Sequence, residues 1–241
     1  LKWAWRVARI AGIDVRIHVT FLALLAWIAW ASYATTGTVA GALDGVILLC
    51  LVFAIVVLHE LGHALTARRF GIKTRDITLL PIGGVASLER MPDDPRQELL
   101  VAIAGPAVNF VLAAIFAIAA ALMKRSLVPD PSLGELPLVV RLVWINLALA
   151  VFNLLPAFPM DGGRALRALL AMRVSDIRAT RIAAGLGQAM ALVLGIVGLF
   201  FNPVLAFIAL FLWMGASGEA RVAEAKFVAH GVPVAAAMVR E

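Results

Sequence analysis

Residues 45–70 read GVILLCLVFAIVVLHELGHALTARRF: fourteen uncharged residues run without a break into His59-Glu60-Leu61-Gly62-His63. Residues four apart share one face of an α-helix, so both imidazoles can reach a single metal ion. Glu60 is displaced around the helix, where it can take a proton from a water instead of binding the metal. Ionisable groups at the end of an apolar helix are costly to place in a bilayer and are functional by default. This stretch therefore predicts a membrane helix that carries half of a metal site.

The rest of the chain agrees with a membrane setting. Of 241 residues, 63% are hydrophobic and 15% charged, against about 45–50% and 25% in soluble domains. Uncharged runs cover 19–43, 45–58, 99–123, 142–160 and 182–218. A crossing needs about 20 residues, and the last run is long enough for two, with Asn202-Pro203 at the turn. The expected architecture is an all-α polytopic membrane protein with about six spans, near 18–36, 45–70, 97–123, from 138, 182–201 and 203–222. A Gly/Thr-rich outer loop is expected at 35–45 and a Pro/Asp-rich one at 124–137. Residues 1–222 are expected to form one transmembrane domain, and 223–241 a cytoplasmic tail or linker.

The net charge is +6. No basic face interleaved with aromatics points to nucleic acid, and the positive-inside rule accounts for the charge. With the N-terminus inside, segments 1–18, 68–98, 161–181 and 219–241 hold 18 of the 21 Lys and Arg. Both ends are thus expected in the cytoplasm. Residues 1–34 have a basic start and an apolar stretch, but the uncharged run to Leu43 exceeds a typical signal core. It reads as a retained first span. The single Cys50 excludes an internal disulfide and a cysteine zinc site, and reads as a small buried hydrophobe.

Within 71–98, Ile77–Leu80 and Val85–Leu88 flank Pro81-Ile82-Gly83-Gly84, which predicts short strands or a re-entrant hairpin. Asp94 is a candidate cap for the next helix. Zinc hydrolases usually offer three protein ligands and one open position. His18 and His230 lie at the first span and in the tail; Asp161, followed by Gly162-Gly163, is the better third ligand. From Gly45, His59 lies about 21 Å down its helix; Asp161 would lie about 28 Å from Leu142 on a straight one. Pro156 and Pro159 break that descent, so both fall in the cytoplasmic third of the bilayer.

His59–His63, then Gly105-Pro106 with Asn109, then Asn153-xx-Pro156-xxxx-Asp161-Gly162 resemble the site-2 protease family over roughly residues 12–215. Gly12–Thr20 is similar to that family's N-terminal region, and Met160 stands where leucine is common. The resemblance implies an intramembrane zinc metalloprotease with one Zn2+ per chain, held by His59, His63 and Asp161, and Glu60 as base. It makes Asn153 a candidate to polarise the scissile carbonyl or hold the oxyanion, with a helix-packing bond as the alternative. Asn109 reads as structural, bonding backbone opened by Pro106. Gly83 and Gly84 resemble a segment that presents an edge to substrate, with a plain turn as the alternative. The implied partners are the lipid bilayer and a single-span regulatory membrane protein as substrate, in a prokaryotic cell membrane. The oligomeric state is left open. The segment 71–98 is too short for a PDZ domain, and Val232–Glu241 resembles the lead-in to a CBS module. A zinc-binding membrane transporter or sensor is the competing reading.

Overall fold

The computed structural model describes residues 3–81, 83–128 and 136–231, with side chains to residue 222. Val232–Glu241, Ile82 and residues 129–135 of the predicted loop at 124–137 lie outside the described residues. The chain divides into two compact units, residues 1–92 with 104–151, and residues 93–103 with 152–241.

The first unit begins with β1 (Ala4–Ile10) and β2 (Ile13–His18), followed by α1 (Val19–Thr36), α2 (Val39–Arg69), β3 (Thr74–Leu80) and β4 (Gly83–Leu88). The strands form one sheet in the order β1-β2-β3-β4. β2 and β3 are parallel, and both outer pairs are antiparallel. A parallel pair needs a crossover, and here α1 and α2 supply it. Ile13, Val15, Ile77 and Leu79 alternate onto one face and pack with Phe21, Phe53, Val57, Leu61 and Ala64. On the other face Asp14 and Asp76 stand opposite each other in register. Arg16 lies 4.0 Å from Asp14 and 3.6 Å from Asp76, which offsets the repulsion of the two carboxylates.

The sequence reading has 1–18 as a basic cytoplasmic segment. The structure makes most of it two strands, and the signal was the strict alternation of Ile13, Val15 and Ile17 with Asp14, Arg16 and His18. His18 is the N-cap of α1, its Nδ1 accepting from the Thr20 N–H at 3.4 Å. The outer loop expected at 35–45 is far shorter: α1 ends at Thr36 and α2 starts at Val39, with Gly37 in the left-handed region at φ 66°. Thr38 caps α2 through the Gly41 N–H. Cys50 is exposed, not buried: α2 is apolar all round, and Cys50 lies on a part of it left uncovered.

α3 (Pro95–Leu122) and α4 (Leu138–Asn153) follow. Arg141 of α4 makes two parallel 2.8 Å bonds to Asp44 of α2, the fork geometry that orders an Arg–carboxylate pair best.

The second unit opens with the first turns of α3, where the Asp94 carboxylate accepts from the Arg96 N–H at 2.8 Å. After α4 the chain turns through 154–160 and enters α5 (Asp161–Ala171), then α6 (Asp176–Phe201) and α7 (Pro203–Gly231). α5 lies in what the sequence reading treats as a cytoplasmic connection. It is short and amphipathic, with Gly162, Gly163, Ala165 and Ala168 buried. A Cβ at Gly162 would overlap the backbone of Leu154 and Leu155, and one at Gly163 that of Ala157 and Phe158. The turn thus folds onto the start of α5 at a distance only glycine permits. Glu98, 2% exposed, receives both a 2.9 Å bond and a second, shorter bond from Arg167. Arg164 bonds Glu219 of α7 at 3.1 Å.

α1, α2, α3, α6 and the first 20 residues of α7 are long and apolar enough to cross a membrane; α4 is a shorter apolar helix of 16 residues. The sequence reading counts six. Leu122, Leu199, Phe200 and Phe201 are each about four-fifths exposed (80%, 79%, 79% and 82%). Lipid matches such exposed apolar side chains, and water does not.

Candidate metal centre

The helical pitch of α2 brings the His59 and His63 rings together, as their spacing predicts. Both are buried, and their Nε2 atoms are 3.1 Å apart. Two nitrogens held by one tetrahedral zinc at about 2.0–2.1 Å would stand about 3.3 Å apart. The His59 Nδ1 meets the Asn109 Oδ1 at 2.7 Å.

The floor beneath the rings is α3. A Cβ on Gly105 would stand 2.7 Å from the His59 Nε2 and closer still to the His63 Nε2. A Cβ on Gly62 would stand 2.8 Å from the Ala104 carbonyl oxygen. A glycine on each of α2 and α3 lets the two helices approach, as small residues do between membrane helices.

Glu60 is partly buried and β4 passes over it. A Cβ on Gly84 would stand 3.0 Å from the Glu60 Cγ and 2.9 Å from the Val56 Cγ1. Gly83, next to it, has φ +132°, a backbone that other residues rarely adopt. Since β4 is an outermost strand of the sheet, one of its edges is unpaired within the sheet.

Asp161 is the first residue of α5 and is partly buried. Its carboxylate and the two imidazoles form a group whose donor atoms all lie within 4.8 Å of one another. Two nitrogens and one carboxylate oxygen, with a fourth position left over, are the donor set of hydrolytic zinc. The residues fit such an ion, and Gly105 keeps the space clear where a larger side chain would fill it.

Asn153 ends α4, and the seven residues between it and Asp161 form the turn packed on Gly162 and Gly163. His18 is used as a helix cap, apart from this group. Asn109 departs from the reading made of it: its Oδ1 bonds an imidazole 50 residues away, not the backbone near Pro106. No local signal could have shown this, because the partner is on another helix.

A family model described as Peptidase family M50 matches residues 47–134 and 128–197, which include every residue of this group. The chain is similar to the zinc metalloprotease MJ0392 of Methanocaldococcus jannaschii, 37% identical over 229 residues, covering 95% of this chain and 64% of that protein. It is also similar to the putative zinc metalloprotease sll0528 of Synechocystis, 38% identical over 192 residues, covering 76% of this chain and 49% of that protein. The chain thus spans from about half to just under two thirds of the length of these curated relatives. Among solved structures, the site-2 protease from Methanocaldococcus jannaschii superposes with a TM-score of 0.65 at 36% identity, covering 90% of this chain and 95% of that one. With its histidine pair and its carboxylate inside the matched region, the chain belongs to peptidase family M50.

Proposed function

We propose that this chain is the membrane domain of a site-2-type zinc metalloprotease that hydrolyses a peptide bond in or beside a transmembrane helix. The observation that carries the reading is the grouping of two imidazoles and one carboxylate, with Glu60 between the imidazoles in sequence. His59, His63 and Asp161 would hold one zinc ion. Such an ion supplies a Lewis acid that polarises the scissile carbonyl and lowers the pKa of water towards about 7.

Glu60 takes the proton of the attacking water and passes it to the leaving amine nitrogen. Asn153 donates an amide N–H to the oxygen that becomes negative. Gly83 and Gly84 present the unpaired edge of β4 to a substrate stretch that has unwound from helix to strand. Main-chain hydrogen bonds along that edge would compensate the helix bonds given up. Glycine at 84 lets this strand approach the base.

The substrate class is a single-span regulatory membrane protein that enters laterally past α1 or past α6 and α7. α4 would complete a sixth crossing. The charge asymmetry supports both ends, and water access to the site, on the cytoplasmic side of a prokaryotic cell membrane. Residues 1–222 form the protease domain, and 223–241 a cytoplasmic tail or linker.

The test is cleavage of candidate single-span proteins in detergent, with and without chelator, beside metal analysis. Glu60→Gln should keep its zinc and lose cleavage. Cleavage that survives in Glu60→Gln, or that ignores chelation, refutes the reading. A carrier or sensor of zinc would not depend on Glu60 in this way.

A further inference from the structure

We infer that Asn109 is a positioning residue for the metal centre, holding His59 in the tautomer and ring orientation that presents Nε2 to the ion. This rests on the reading of His59 as a metal ligand.

Asn109 is fully buried on α3, one helical turn beyond Gly105 and on the same face. Glycine makes room for the two rings, and asparagine holds one of them. The Asn109 Oδ1 lies 2.7 Å from the His59 Nδ1. An amide oxygen only accepts, so the single N–H of a neutral imidazole must sit on Nδ1. The lone pair is then on Nε2, the atom that faces the His63 Nε2 at 3.1 Å. A metal needs that lone pair, and a ring free to rotate or change tautomer would offer it only part of the time.

The other end of the amide separates this role from a packing role. The Asn109 Nδ2 is buried and has no hydrogen-bond partner among the described residues. An asparagine kept to join helices would be expected to use both ends, since an unmet buried donor is costly. Asn109 spends its one side-chain bond on the imidazole. A leucine of similar volume would remove the unmet donor along with the bond to His59. A packing role therefore predicts that leucine weakens the fold, and a positioning role predicts that it weakens metal binding while the fold holds.

The experiment compares wild type, Asn109→Leu, Asn109→Asp and His59→Ala as the full chain in detergent. Zinc affinity is read by chelator competition, the ligand field by the absorption of bound Co2+, and the fold by thermal unfolding of the metal-free chain. Asn109→Leu should bind zinc about 10- to 100-fold more weakly, shift the Co2+ spectrum, and unfold no earlier than wild type. Asn109→Asp, which restores an acceptor to the Nδ1–H, should recover most of the affinity and the spectrum. If Asn109→Leu binds zinc as wild type does while His59→Ala does not, the positioning role is overturned and the metal reading stands. If His59→Ala also binds zinc as wild type does, His59 is no ligand and both fall. If both Asn109 variants lose zinc together with thermal stability, the residue is structural and the inference is wrong.

Discussion

Gly105→Ala adds one methyl group at the point where α3 faces both imidazoles. Its Cβ would stand 2.7 Å from the His59 Nε2, where ordinary contact begins at 3.4 Å. The ring must therefore withdraw by about 0.7 Å, and His63, which is approached more closely, by more. Zinc sites tolerate about 0.2 Å in ligand distance, so the imidazoles cannot both clear the methyl group and keep one ion. Zinc affinity should fall at least about 100-fold, close to 2.8 kcal/mol. The fold should survive, because alanine exceeds glycine in helix propensity by about 1 kcal/mol. The assay is chelator competition with thermal unfolding of the metal-free chain, with Gly218→Ala as a control at a helical glycine that has nothing within 4 Å of its added Cβ. An unchanged zinc affinity in Gly105→Ala would refute the close approach of α3 to the two rings.

Two further substitutions test the fold and the site. Arg167→Ala strands the buried Glu98 carboxylate and should destabilise the chain by about 3–5 kcal/mol; the double variant Glu98→Met with Arg167→Met should recover most of the loss in thermal unfolding. Gly84→Val crowds the side chains of Val56 and Glu60, so cleavage should fall about 10-fold or more with zinc content unchanged; a drop in zinc content would mean that β4 supports the ligands and not the base.

Several features were legible residue by residue. Uncharged runs located α1, α2, α3, α6 and α7 because bilayer thickness sets a minimum apolar length. The four-residue spacing of His59 and His63 put both rings on one face because the helix repeats every 3.6 residues. Asn202-Pro203 marked the α6–α7 turn because proline cannot continue the preceding hydrogen-bond ladder. Asp161 was reached by its depth and by the shortage of other donors. Other features were misread for physical reasons. Arginines in β1 and β2 resembled a charged tail, although they belong to a sheet whose apolar face, at β2 and β3, is core. α5 was hidden in a connection because an eleven-residue amphipathic helix lacks the length of a span.

Periodicity and hydropathy act along the chain, and from them followed a membrane setting, the order of the long helices and the candidate histidine pair. Contacts between residues far apart have no such signature. That Gly105 leaves room for two imidazoles, that Asn109 holds one of them, and that Gly84 lies against Glu60 depend on how α2, α3 and β4 pack. Packing selects side chains by the shape of the space left between backbones, which no single segment contains.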